Sequence, residues 1–127
     1  MWIFTQKGFL SVVAHNTKPD ILIVRSRFKG HIENIFPKAR VEEDSSRDYR
    51  FRTELPIREV AGTISSMASE ICYENFKGSL DMSDENYVNC CLDVYNSVAR
   101  NSETNALTIE NEDLSQFKYL GEEINEG

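Results

Sequence analysis

Two pairs of arginines stand at a spacing that could do chemistry. Arg25 and Arg27 are separated by one residue, and so are Arg50 and Arg52. On an extended strand, residues two apart share a face. Each pair therefore projects both guanidiniums to one side, and on neighbouring strands all four would line one sheet surface. The planar guanidinium fork binds phosphate or carboxylate bidentately. Tyr49 at the rim adds a ring on which a base can stack. The competing reading is a solvated face paired with Glu42, Glu54 or the acidic C-terminal residues. Each such exposed pair would contribute only about 0–1 kcal/mol.

A second constellation is Tyr73-Glu74-Asn75-Phe76-Lys77. On a loop after a helix, Asn75 and Lys77 offer polar groups to a ligand and Phe76 an apolar floor. In the alternative, Asn75 takes a left-handed C-cap and Phe76 enters the core. A third is the carboxylate set of Asp84, Glu85, Asp93, Glu110, Glu112 and Asp113. An extended acidic surface can imitate a phosphate backbone and compete for proteins that bind nucleic acid through Lys and Arg. Ordinary solubilisation is the alternative.

Catalysis has thinner support. His15 lies in a turn and His31 near a helix start, and neither has a partner in local sequence to act with it as a general base. No G-x-S-x-G, HExxH or P-loop pattern is present. Cys90 and Cys91 are adjacent, which is not metal-site spacing, and with Cys72 the count is odd. The three read as small buried hydrophobes in a reducing, cytoplasmic compartment. No cofactor and no metal are expected.

These side chains need elements to position them. Residues 1–14 read as a hairpin, with Trp2-Ile3-Phe4 and Phe9-Leu10-Ser11-Val12-Val13 as strands around a turn ending in Gly8. Ile21-Leu22-Ile23-Val24 is a continuous apolar run and predicts a central strand. Residues 29–36 predict a short helix stopped by Pro37. From Tyr49 to Leu55 the chain alternates, with Tyr49, Phe51, Thr53 and Leu55 on one face. Pro56 opens a helix whose apolar stripe is Val60, Ile64, Met67 and Ile71. Ser83 is placed to cap a last helix, with Tyr87, Cys90, Cys91, Val94, Tyr95 and Val98 inward.

The order β-β-β-α-β-α-α predicts an α+β two-layer sandwich. Its mainly antiparallel sheet has about four strands, with helices on one face. Charge is sorted along it. Residues 1–58 hold 11 Lys/Arg and 7 Asp/Glu; residues 59–127 hold 3 and 14. A single domain over 1–100 and an acidic C-terminal extension over 101–127 follow, the latter with 7 acidic residues and one lysine. Phe117-Lys118-Tyr119-Leu120 within it could pack as a short strand. No apolar run is long enough to span a membrane, and the N-terminus lacks a signal-peptide pattern. A net charge of −7 disfavours direct nucleic-acid binding by the whole chain. An exposed sheet edge would permit a homodimer.

Met1-Trp2-Ile3-Phe4, Gly8-Phe9-Leu10-Ser11-Val12-Val13, Asp48-Tyr49-Arg50-Phe51-Arg52 and Tyr73-Glu74-Asn75-Phe76-Lys77 together carry a resemblance. Over residues 1–100 the chain resembles a family of small uncharacterised bacterial proteins. These have a Met-Trp-aliphatic-Phe hairpin, an Asp-Tyr-aromatic-Arg strand and an Asn-Phe-Lys loop. The resemblance implies a boundary near residue 100 and no mechanism.

Three functions are therefore expected in order. The first is a non-catalytic binding or regulatory module for a small anionic ligand, such as a nucleotide, or an acidic protein partner. Its site would be Arg25, Arg27, Tyr49, Arg50, Arg52, Asn75, Phe76 and Lys77. The second is a phage or mobile-element inhibitor of a nucleic-acid-targeting defence complex, acting through the acidic half. The third is a nucleotide-directed enzyme.

Overall fold

The computed structural model describes residues 1–103. The strands are β1 (Trp2–Thr5), β2 (Gly8–Ala14), β3 (Ile21–Ser26), β4 (Glu42–Glu43) and β5 (Phe51–Pro56). The helices are α1 (His31–Ile35), α2 (Ile57–Ser69) and α3 (Glu85–Glu103), with a 3-10 turn at Lys77–Ser79. The sheet is antiparallel throughout, in the order β1-β2-β3-β5-β4. The expected α+β sandwich forms, but its helices are not confined to one face, since α3 packs opposite α1 and α2, and the sheet has one short strand more than the sequence pattern suggests. β4 comes from a polar stretch without strand periodicity, and pairs only Glu42 with Arg52 and Glu43 with Phe51.

One sheet face carries Leu10, Val12, Val24, Phe51 and Leu55, covered by Ile32, Ile35 and Phe36 from α1 and its end and by Val60 from α2. Ile64 and Met67 extend the α2 contact along the predicted stripe. Each fully buried aliphatic side chain here contributes about 1.5–3 kcal/mol. The other face carries Phe9, which alternates with Leu10 along β2. Phe9 packs in a second cluster with Tyr49, Leu80 and the α3 residues Tyr87, Val88 and Cys91, flanked by Phe4, Phe28 and Phe76.

The chain between α2 and α3 must pass from one face to the other. It does so beside β1, the edge strand. Cys72 and Tyr73 border a cavity with Ile3, Phe4 and Thr5, and Asn75 and Phe76 border another with Phe4. The Tyr87 hydroxyl then donates to the Thr5 carbonyl at 2.6 Å.

Three local details differ from the sequence pattern. Ser83 does not cap α3; its hydroxyl donates to Asp81 Oδ1 at 2.6 Å. The inward face of α3 ends after two turns, so Tyr95 is 55% and Val98 62% exposed. Periodicity reports an apolar stripe but not how far the body beneath it extends. Tyr49 is not on the face of Phe51. Asp48 Oδ1 accepts the Tyr49 N–H at 2.8 Å in a bend, β5 starts only at Phe51, and the Tyr49 ring joins the cluster around Phe9.

Gly8, at the mouth of the first hairpin, has φ +149°, a backbone region that other residues avoid. A Cβ there would sit 2.6 Å from the His31 ring. Gly8→Ala is expected to lower stability by at least about 1–3 kcal/mol, the usual cost of overpacking. The urea midpoint measures it; an unchanged midpoint would show that the His31 ring is not held in that place.

Candidate functional site

The β3–β5 register sets Arg25 directly opposite Arg52. Like charges placed so are destabilising unless something intervenes. Arg25 is only 8% exposed, and its Nη2 donates to Ser11 Oγ on β2 at 2.8 Å. Its guanidinium carbon lies 4.3 Å from the Tyr49 ring centre, a cation–π contact. Arg52 donates from Nε to the Tyr49 carbonyl at 3.2 Å, and its Nη2 is 3.9 Å from Asp48 Oδ1. Burial holds the Arg52 guanidinium below the usual arginine range. The charges of Arg47 and Arg25 push the same way, and Asp48 and Asp44 oppose them.

Arg27 lies just beyond the end of β3. Its side chain is 60% exposed, 5.0 Å from the Tyr49 ring centre, with Nη2 4.0 Å from Asp48 Oδ2. Arg25, Arg27 and Arg52 thus converge on Tyr49 and Asp48. Arg50 does not join them. It lies over the Phe51 ring at 5.5 Å and 3.7 Å from Glu43. The bend at Asp48 and Tyr49 breaks the alternation that would have kept Arg50 in step with Arg52.

Beside this cluster is a cavity of about 350 Å³. Five rings line it, from Trp2, Phe4, Phe9, Phe28 and Tyr49, together with Arg27, Asp48 and Cys90. Phe4 and Phe9 are 4.7 Å apart between ring centres and Trp2 meets Phe9 edge-on at 6.4 Å. Burial, then the charges of Cys91 and Asp93, push the Cys90 thiol up, so it stays protonated at neutral pH. The sequence reading passed over Trp2, Phe9, Phe28, Ser11 and Asp48. The alternation of Trp2 and Phe4 along β1, matched by Phe9 on β2, was the signal available for the rings.

Asn75, Phe76 and Lys77 face a different depression of about 580 Å³, for which Phe4 is the shared wall. Asn75 is not a left-handed cap, since no non-glycine residue among those described has positive φ. Its Oδ1 accepts the Gly78 N–H at 3.3 Å instead. The Lys77 ammonium lies 3.9 Å over the Tyr95 ring. A larger cleft of about 760 Å³ borders β5, and its charges are mixed: Arg47 lies 3.2 Å from Asp44 and His15 2.8 Å from Glu54, with Lys38, Arg40, Glu42 and Glu59 also in the lining.

Both histidines have partners distant in sequence. His31 Nδ1 accepts the Phe9 N–H at 3.0 Å, which places the ring proton on Nε2, 3.1 Å from Asp84 Oδ2. His15 Nδ1 accepts the Thr17 and Lys18 N–H groups, and its Nε2 faces Glu54. Neither imidazole keeps an open nitrogen. Of the acidic set, Asp84 is taken by His31, and Glu85 opens α3. Asp93 is exposed on α3. Glu110, Glu112, Asp113 and the segment Phe117-Lys118-Tyr119-Leu120 lie outside the described residues. Among the described residues no group of three or more His, Cys, Asp or Glu is placed to hold a metal ion, and no helix is long and apolar enough to cross a membrane.

Comparison with protein-family models, curated proteins and solved structures finds no match. The family resemblance therefore rests on the motifs alone.

Tyr87 anchors α3 beside the site, and burial, followed by the Cys91 and Cys90 thiols, raises its phenol above the usual tyrosine range. The unfolded phenol ionises near about pH 10. A raised folded pKa contributes stability that is complete below that pH and is lost above it. At neutral pH, Tyr87→Phe loses the bond to Thr5, about 1 kcal/mol. Above about pH 10 only the wild type bears the cost of keeping the phenol neutral. Urea unfolding at both pH values should show the gap shrink on the alkaline side. A constant gap would refute the buried phenol.

Proposed function

We propose that this protein is a non-catalytic binding module that takes a small anionic ligand in the aromatic cavity beside Arg27. What supports the reading is the gathering of three guanidiniums around Tyr49 and Asp48. Arg25 and Arg52 are largely shielded from water, so their mutual repulsion is poorly screened. Of the three, Arg27 alone borders the cavity and is the exposed donor that meets a bound anion. The cavity volume lies in the range of small-molecule sites, and its lining of rings with few polar groups is their usual composition. A flat body stacks on the rings while its phosphate or carboxylate rests on Arg27. A nucleoside monophosphate has that form. One exposed arginine at a small aromatic depression does not suit a continuous phosphate backbone.

Trp2 is the single tryptophan of the chain and lines the cavity, so its emission reports occupancy. Titration with adenosine or uridine 5′-monophosphate is expected to change it saturably. The melting temperature should rise, since ligand at a hundredfold its Kd stabilises the fold by about 2.7 kcal/mol. Arg27→Ala should weaken binding at least tenfold without lowering the melting temperature of the free protein, while Arg50→Ala should bind as the wild type does. Undiminished binding by Arg27→Ala would move the site elsewhere.

A further inference from the structure

The geometry points to a zwitterion as the ligand: a free α-amino acid with an aromatic side chain, its carboxylate on Arg27 and its ammonium on Asp48. This rests on the reading that an anionic group docks on Arg27 in the same cavity, and it adds a cationic group beside it.

The argument starts from hydrogen bonds not yet made. Arg27 carries five N–H donors. Among the described residues it makes no hydrogen bond; its contacts are the Tyr49 ring at 5.0 Å and Asp48 Oδ2 at 4.0 Å. An ionised Asp has about four acceptor positions. Asp48 fills one at hydrogen-bond distance, with the Tyr49 N–H on Oδ1, while Arg52 Nη2 stands off at 3.9 Å. Both groups border the same cavity and both keep unused capacity.

Opposite charges side by side at one mouth favour a ligand that brings both signs over one that brings a single sign. An anion resting on Arg27 meets repulsion from Asp48, and a cation resting on Asp48 meets it from Arg27. An α-amino acid carries its two charges on groups attached to one carbon, a separation comparable to that of the Arg27–Asp48 pair. Docked antiparallel, the four charges alternate and each neighbouring pair is attractive. Carboxylate on guanidinium is bidentate, and ammonium on carboxylate is charge-assisted. The side chain then enters the cavity between Trp2, Phe9 and Phe28, where offset or edge-on ring contacts are favoured. A peptide terminus brings only one of the two charges and does not complete the set.

Three probes separate the contributions: L-phenylalanine, 2-phenylethylamine and 3-phenylpropionate. None absorbs at the red edge where Trp2 is excited. L-Phenylalanine is expected to bind at least tenfold more tightly than either analogue. Asp48→Asn should abolish its advantage over phenylpropionate, and Arg27→Gln its advantage over phenylethylamine. The comparison among probes on the wild-type protein stands even if a variant folds poorly. If phenylpropionate binds as tightly as L-phenylalanine, the zwitterion is overturned and the anionic reading stands. If phenylethylamine binds best, both are overturned. If none of the three binds while a nucleoside monophosphate does, the zwitterion alone is lost.

Discussion

His31 is where three separate stretches of chain are tied. It leads α1, its Nδ1 takes the Phe9 N–H of β2, and its Nε2 reaches Asp84 at the head of α3. Its ring also stacks on Phe28 at 4.7 Å and meets Tyr87 edge-on at 4.6 Å. A buried amide and a carboxylate are satisfied at once by one neutral imidazole, in a place where an unmade bond would cost about 1–3 kcal/mol. Gly8 leaves the space that ring occupies. Phe9 and Phe28, two walls of the aromatic cavity, are held by this residue directly.

The arginine cluster shows the opposite economy. A cross-strand Arg25–Arg52 pair works against the sheet, and the surroundings supply a hydroxyl, a carbonyl, a ring face and one carboxylate to offset it. A fold selected only for stability would place an opposite charge there, as it does one step on, where Glu42 faces Arg52. Local conflict of this kind is more often found at sites of function than in scaffolding.

Much of the scaffold was legible in the sequence. The hairpin, the run at Ile21-Leu22-Ile23-Val24 and the α2 stripe are periodic signals, and burial depends on period more than on context. The site was legible only in part. Arg25, Arg27, Arg52 and Tyr49 meet, but Tyr49 arrives from the other side of the bend and Arg50 is turned away. A bend set by one carboxylate accepting the next residue's N–H leaves no periodic trace. The partners of His31 were out of reach for another reason: Phe9 and Asp84 lie 22 and 53 residues away, and no local pattern links them. The six aromatic and acidic positions that shape the cavity come from β1, β2 and two loops, so only their folding together reveals it.

The passage of chain beside β1 has a mechanical consequence. With α2 against one face, α3 against the other and the link between them running past Ile3, Phe4 and Thr5, the end of the first strand is tied to α3 through the Tyr87 hydroxyl. Lifting the hairpin therefore breaks that tie as well as the pairing with β3. Fraying of the outermost strand at that end is coupled to loosening of the helix that comes last in the described chain.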